Sequence, residues 1–184
     1  MSDAVFIEGQ LVNLRPLAAT DATPAYLSWL NDAAVLRYRG PKAFPSTMEN
    51  LQRYVAEIPG RGDLVLAVCE KSGGRHVGNI ALNSVNWLHR SAELSIMIGA
   101  RDTWGKGYGK EAMSLVTRHG FLNMGLNRLW AESPNPAFNA AVQRLGWTRE
   151  GTKRQAFLLD GAYVDFECWS LLASEFSSPP STTP

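Results

Sequence analysis

Three glycines stand on alternate positions, Gly105, Gly107 and Gly109, after an apolar run and before a helical apolar pattern. Glycine lets the backbone approach an anion closely and adopt positive φ. The first N–H groups of a helix lack intrahelical partners and carry partial positive charge. Strand, glycine loop and helix in that order make a phosphate cradle. The run before it, Ala92 to Ile98, is apolar apart from Glu93 and Ser95. A carboxylate desolvated in such a strand holds its proton more tightly and suits general-base work. The competing reading makes Glu93 a structural partner of Arg90, Arg128 or a backbone group, since ion pairs leave the same trace.

The cradle does not fit the nucleotide patterns. A Walker loop needs G-x-x-x-x-G-K-[ST], but Gly109-Lys110 is followed by Glu111, and Trp104 stands where the first glycine belongs. A Rossmann fingerprint needs G-x-G-x-x-G, and the third glycine arrives one residue early.

The elements that position these residues can be read around them. Leu11 to Leu17 alternates apolar and polar as a first strand. Thr20 or Asp21 is expected to cap a short helix through Tyr26 and Trp29, ended by Leu30-Asn31-Asp32. Pro41 to Pro45 marks a loop. Ser46-Thr47-Met48-Glu49 reads as a capping box opening a helix to about Ile58. Leu64 to Glu70 and His76 to Asn83 form a hairpin across Lys71–Arg75. The helix after the glycines spans Lys110 to Met124, with Ala112, Met113, Leu115, Val116 and Phe121 mostly on one side. A strand follows over Asn127 to Ser133, then a helix capped by Asn135, opened by Pro136 and stopped by Gly146. Tyr163 to Leu172 is the last strand. The order argues for a mixed α/β sheet.

Trp104-Gly105-Lys106-Gly107-Tyr108-Gly109 resembles motif A of the GNAT superfamily of acetyl-CoA-dependent N-acetyltransferases, with Trp in place of its Gln or Arg. In this form it is similar to the RimJ/RimL-type branch. Asn135 to Trp147 resembles the family's motif B, and the likeness covers roughly Leu11 to Leu172. It implies a single-domain GNAT-like α/β fold over residues 1–176. In that fold a mixed, mostly antiparallel sheet is flanked by helices, and its strands splay at the acetyl-CoA site. It also implies transfer of acetyl from acetyl-CoA to a primary amine. The expected contacts to acetyl-CoA are Met97, Ile98, Trp104, Gly105, Lys106, Gly107, Tyr108, Gly109, Asn135 and Phe138. Glu93 occupies the setting of the base in the histone-acetylating branch.

Such a base has work to do. An alkylamine of pKa near 10.4 is about three and a half units from neutrality at pH 7, roughly 4.6 kcal/mol. The chain departs from the family where an acid is expected. Val142 replaces the common Tyr of motif B, and Phe138 and Phe157 align with the Ser and Glu of the ribosomal-protein acetylase. Tyr163, Tyr108 and water are the alternatives for the acid. Trp29 reads as core packing, yet the family's first helical region helps form the acceptor pocket. Trp29, Asn31 and Arg37 are therefore candidate lining residues, and His89 a residue of its mouth. Trp29-Leu30-Asn31-Asp32 with Val35 and Arg37-Tyr38 is similar to sugar-amine acetyltransferases. That favours a small amine such as an amino sugar over a protein N-terminal α-amine or a non-catalytic CoA-binding module.

Composition bounds the rest. The chain has 184 residues, 45% of them apolar, and a net charge of +1. That suits one globular domain and gives no electrostatic case for nucleic acid or anionic membrane. No run reaches membrane-spanning length and Met1–Ala4 lacks a signal pattern, so a cytoplasmic monomer or homodimer is expected. His76, His89 and His119 show no metal-ligand spacing. Cys69 and Cys168 read as buried small hydrophobes. Residues 177–184 have nothing to bury and are expected to be a disordered tail.

Overall fold

Leu82, Leu94 and Leu129 are buried on three neighbouring strands, and the sheet they belong to organises the molecule. The computed structural model describes residues 4–40 and 44–176. Its eight strands are β1 (Ile7–Glu8), β2 (Val12–Pro16), β3 (Leu64–Glu70), β4 (His76–Asn86), β5 (Ser91–Ile98), β6 (Arg128–Ser133), β7 (Thr148–Leu159) and β8 (Ala162–Leu172). They lie in the order β1-β2-β3-β4-β5-β6-β8-β7. Every neighbouring pair is antiparallel except β5 and β6. Those two are joined by a 15-residue helix, and a crossover of that length is what a parallel pair requires. The expected mixed, mostly antiparallel α/β sheet flanked by helices is what forms.

The helices are α1 (Pro24–Trp29), α2 (Ala33–Leu36), α3 (Met48–Glu57), α4 (Tyr108–Leu122) and α5 (Pro136–Arg144). Helix α4 packs on the sheet through buried Ala112, Met113, Val116 and Phe121. A Cβ at Gly120 would lie 3.3 Å from Leu82 and 3.5 Å from Leu126 and Leu129, so the glycine lets the helix sit close. Among the described residues, no helix is long and apolar enough to cross a membrane.

Several local expectations need correction. The cap of α1 is Thr23, which accepts from the Tyr26 N–H, not Thr20 or Asp21. Asp21 instead takes both arms of Arg15 at 2.7 Å and lies buried in a 3-10 turn. Thr47, not Ser46, caps α3, and Glu49 reaches forward to Arg53 at 2.9 Å. Asp32 caps a second short helix, α2, where the sequence suggested only an ending. Helix α4 starts at Tyr108, two residues before the expected Lys110. Strand β7 was not anticipated, because most of its residues are exposed and give no apolar alternation. Cys69 is buried, but Cys168 is only partly so. Pro41, Lys42 and Ala43 of the expected loop, and the expected tail 177–184, lie outside the described residues.

Candidate active site

Strands β5 and β6 pair only from Ser91/Arg128 to Glu93/Trp130 and then part. Beyond that point β5 keeps its β4 partner and β6 keeps β8, which it pairs along its whole length. The carbonyls of Ile96 and Ile98 point away from β4, since side-chain donors take them from the open side. The Arg39 guanidinium reaches Ile96 at 2.9 Å and the Trp104 indole N–H reaches Ile98 at 2.9 Å. In a strand the N–H of a residue points the same way as its C=O, so the open edge also presents the N–H groups of Ile96 and Ile98.

The glycine loop closes this opening at the Ile98 end. Gly107 is the N-cap of α4 at φ +85°, with no side-chain cap bond to occupy the first-turn donors. Gly105 has φ +78° and open space where a Cβ would stand. Trp104 ties the loop to β5 through the indole bond to Ile98, and the Thr103 hydroxyl donates to the Ala100 carbonyl at 2.6 Å. Nearby carboxylates are neutralised. Arg75 pairs with Glu70 at 2.8 Å and with Asp102 at 2.6 Å, and the Tyr108 hydroxyl donates to Glu70 at 3.4 Å. These ion pairs hold Glu70 and Asp102 below the usual carboxylate range. The sequence reading missed Glu111. Its carboxylate accepts from the backbone N–H groups of Gln10, Leu11 and Val12 at 2.7, 2.8 and 2.8 Å. A charge that would otherwise repel an anion at the helix start is thereby spent on the β1–β2 turn. Open first-turn amides, a glycine with room above it and neutralised neighbours fit a diphosphate.

Glu93 sits at the last paired position before the strands part. It forms no hydrogen bond or ion pair among the described residues. Its suggested structural partner Arg128 instead holds Glu150 with both arms at 2.6 Å. Partial burial pushes the Glu93 carboxyl up, and the charge of Glu132 pushes it the same way, against weaker pulls from Lys153 and Arg39. Glu132 is itself bound to Lys153 at 2.7 Å. Beside Glu93, the Asn83 amide donates to the Ser95 hydroxyl at 2.8 Å.

A cavity of about 560 Å³ lies between the α1–α2 region and the β7–β8 hairpin, lined by Leu36, Phe44, Leu158 and Leu159 with Asn31, Arg37 and Asp160. Glu93 is not among its lining residues; only chain neighbours link the two. Arg39 and Lys153 act on Glu93, while Gly40 next to Arg39 and Leu158 five residues past Lys153 line the cavity. Of the three expected lining residues, Asn31 and Arg37 reach it. Asn31 is held by three bonds, to Leu27 and to both backbone groups of Ser46, and Arg37 pairs with Asp160 at 2.7 Å. Trp29 does not line it: the ring is buried against Gly99, where a Cβ would lie 2.1 Å away, and against His76 and Tyr26. His89 is exposed in the β4–β5 turn, beyond the end of β5 that carries Glu93.

Met97 is buried, and Ile98 packs under the α4 start, 3.6 Å from where a Gly109 Cβ would be. Lys106 is exposed on the loop. Asn135 spends its side-chain carbonyl on the Ala137 N–H at 3.0 Å as the cap of α5, and Phe138 packs against the core. Tyr163 pairs with Leu158 near the hairpin tip, beyond the end of β6, and is 68% exposed. Tyr108 is turned toward Glu70. Neither tyrosine is brought to Glu93. Among the described residues no group of His, Cys, Asp or Glu could hold a metal ion.

Residues 12–148 match the family described as acetyltransferase (GNAT) domain. The spermidine N(1)-acetyltransferase of Escherichia coli (strain K12) is 28% identical, over 83% of this chain and 81% of that one. The spermidine N-acetyltransferase from Vibrio cholerae, solved with CoA and spermine, superposes with a TM-score of 0.81 at 22% identity, covering 91% of this chain and 98% of that one. The ribosomal-protein-S5-alanine acetyltransferase from Vibrio fischeri gives 0.80 at 16% identity, covering 97% and 100%. These two likenesses are of fold.

Proposed function

This chain belongs to the GNAT acetyltransferase family and is an acetyl-CoA-dependent N-acetyltransferase, and from that premise we propose that it acetylates a primary amine of a small molecule, with Glu93 as the base. Within the family, the Trp104–Gly109 hexapeptide argues for the RimJ/RimL-type branch. The observation that carries the reading is a partly buried carboxylate, without a hydrogen-bond or ion-pair partner among the described residues, at the point where β5 and β6 part.

Acetyl-CoA supplies the acetyl group as a thioester. The Gly105–Gly109 backbone and the first turn of α4 hold its diphosphate, and the open edge of β5 orients the acyl arm. Glu93 takes the proton of the incoming ammonium, directly or through one water. The free amine then attacks the thioester carbonyl, the C–S bond breaks, and the second amine proton passes through water to the departing CoA thiolate. Burial raises its affinity for that proton, which brings the base nearer the operating pH. The cavity beyond takes the body of the acceptor, with apolar walls of Leu36, Phe44, Leu158 and Leu159 and a polar rim.

An amino sugar or related metabolite fits such a wall and rim. Relatives named for spermidine support a small-molecule amine. A polyamine asks for more free carboxylates than this side offers, because Asp160, Glu132 and Glu150 each already hold a cation. The test is release of CoA thiol with amino-sugar nucleotides, polyamines and short peptides with free N-termini, compared as kcat/KM. The expected ranking places a small monoamine first. A hundredfold preference for peptides, about 2.7 kcal/mol of transition-state binding, overturns the reading.

A further inference from the structure

Glu132 and Lys153 form an ion pair that neither the cradle nor the acceptor cavity uses. Glu132 stands on β6 two residues past Trp130, the register partner of Glu93, and therefore on the same face of the sheet. Lys153 arrives from β7, across β8, and meets the Glu132 carboxylate at 2.7 Å on Oε2. Other groups face Glu93 from the remaining elements. These are Asn83 on β4, Ser95 on β5, the Trp130 ring position on β6 and the Arg39 guanidinium after α2. Asn83 and Ser95 are bonded to each other, and Arg39 is anchored on the Ile96 carbonyl.

We propose that the Glu132–Lys153 pair is a positioning pair for the base, holding one like and one opposite charge against Glu93 so that their balance sets the pH at which the enzyme becomes active. The proposal deepens the assignment of Glu93 as base and rests on it. A carboxylate beside Glu93 disfavours its ionised form, and an ammonium favours it. The directions at Glu93 agree, with Glu132 raising its hold on the proton and Lys153 lowering it. The pairing makes each charge weaken the other's effect. Lys153 is more than half exposed and Glu132 about a fifth, so both can be substituted without opening the core.

The two partners of one ion pair must then act with opposite sign, which a merely structural bridge would not do. In the pH profile of kcat/KM, Glu132→Gln should move the acid limb to lower pH. It removes the like charge and frees Lys153. Lys153→Met should move the limb to higher pH, and Lys153→Arg should return it toward the parent position. Carbon-13 titration of the Glu93 carboxyl in the free protein should show the same two displacements without turnover. Limbs that stay put, or that move together in both variants, overturn the proposal while Glu93→Gln still abolishes the limb. An acid limb that survives Glu93→Gln overturns the base assignment itself, and this inference with it.

Discussion

The two ends of β5 are built by different means. At the Ile98 end, chain neighbours make the site: Trp104 ties back to Ile98, Gly105 and Gly107 take positive φ, and α4 opens at Tyr108. At the Glu93 end, Arg39, Glu132 and Lys153 come from segments far apart in sequence: the sheet order brings Glu132 and Lys153 together, and the segment after α2 adds Arg39. Backbone donors in a fixed turn suit a ligand part common to the whole family. Side chains from separate strands suit what must differ between enzymes, because each can change without disturbing the others.

The comparison has one long-range exception, and breaking it carries the largest expected effect. Glu111 joins the cradle helix to the β1–β2 turn by three charge-assisted bonds. Glu111→Ala should cost about 3 kcal/mol in urea unfolding, with Glu111→Gln recovering part. A loss near zero would make the cradle end as local as its sequence suggests.

Gly107→Val attacks the backbone mechanism directly. At φ +85° a side chain costs about 1–2 kcal/mol, and its bulk meets the path of the anion. The dissociation constant for acetyl-CoA, read by calorimetry, should rise by about tenfold or more in a protein that remains folded. Unchanged affinity would mean that the cradle does not hold the diphosphate through its backbone.

The other end should show the reverse bargain between stability and function. Glu93 binds its proton more tightly folded than unfolded, so folding is penalised as pH rises above the ordinary carboxylate value near 4.5. Glu93→Gln should therefore be more stable than the parent at neutral pH, with the gain vanishing in acid. Equal thermal midpoints at both pH values would place Glu93 in an unstrained setting.

The smallest effect belongs to Arg128–Glu150, which borders the same face. The guanidinium holds the Glu150 carboxyl down at about 2. Its contribution is fully present above the unfolded value near 4.5 and is lost as pH falls through about 2. The pair is partly exposed and salt-screened, so Arg128→Met should lower the midpoint slightly at pH 7, and most of that loss should be gone at pH 2. A loss that persists at pH 2 would assign the effect to packing of the arginine stem.

The same division explains what the sequence disclosed. Strand Leu64–Glu70, the Asn135 cap with Pro136, and the glycine loop were legible because local propensity and tertiary structure agree there. Strand β7 carries mostly exposed polar residues, and only its pairing with β8 makes it a strand. Trp29 reads as core packing with a pocket wall as the alternative, and the close approach of Gly99 decides for the core. Glu132 and Lys153 are ordinary surface residues in one dimension. Their relation to Glu93 exists only after β6, β8 and β7 are laid side by side.

The central claim is that Glu93 is the base at the parting of β5 and β6. It is tested most directly by Glu93→Gln, with turnover of a small amine followed across pH and acetyl-CoA affinity measured on the same sample. Turnover should fall by about 10²–10⁴-fold and the acid limb should disappear, with an unchanged dissociation constant for acetyl-CoA. Near-normal turnover with the parent pH profile would contradict that claim.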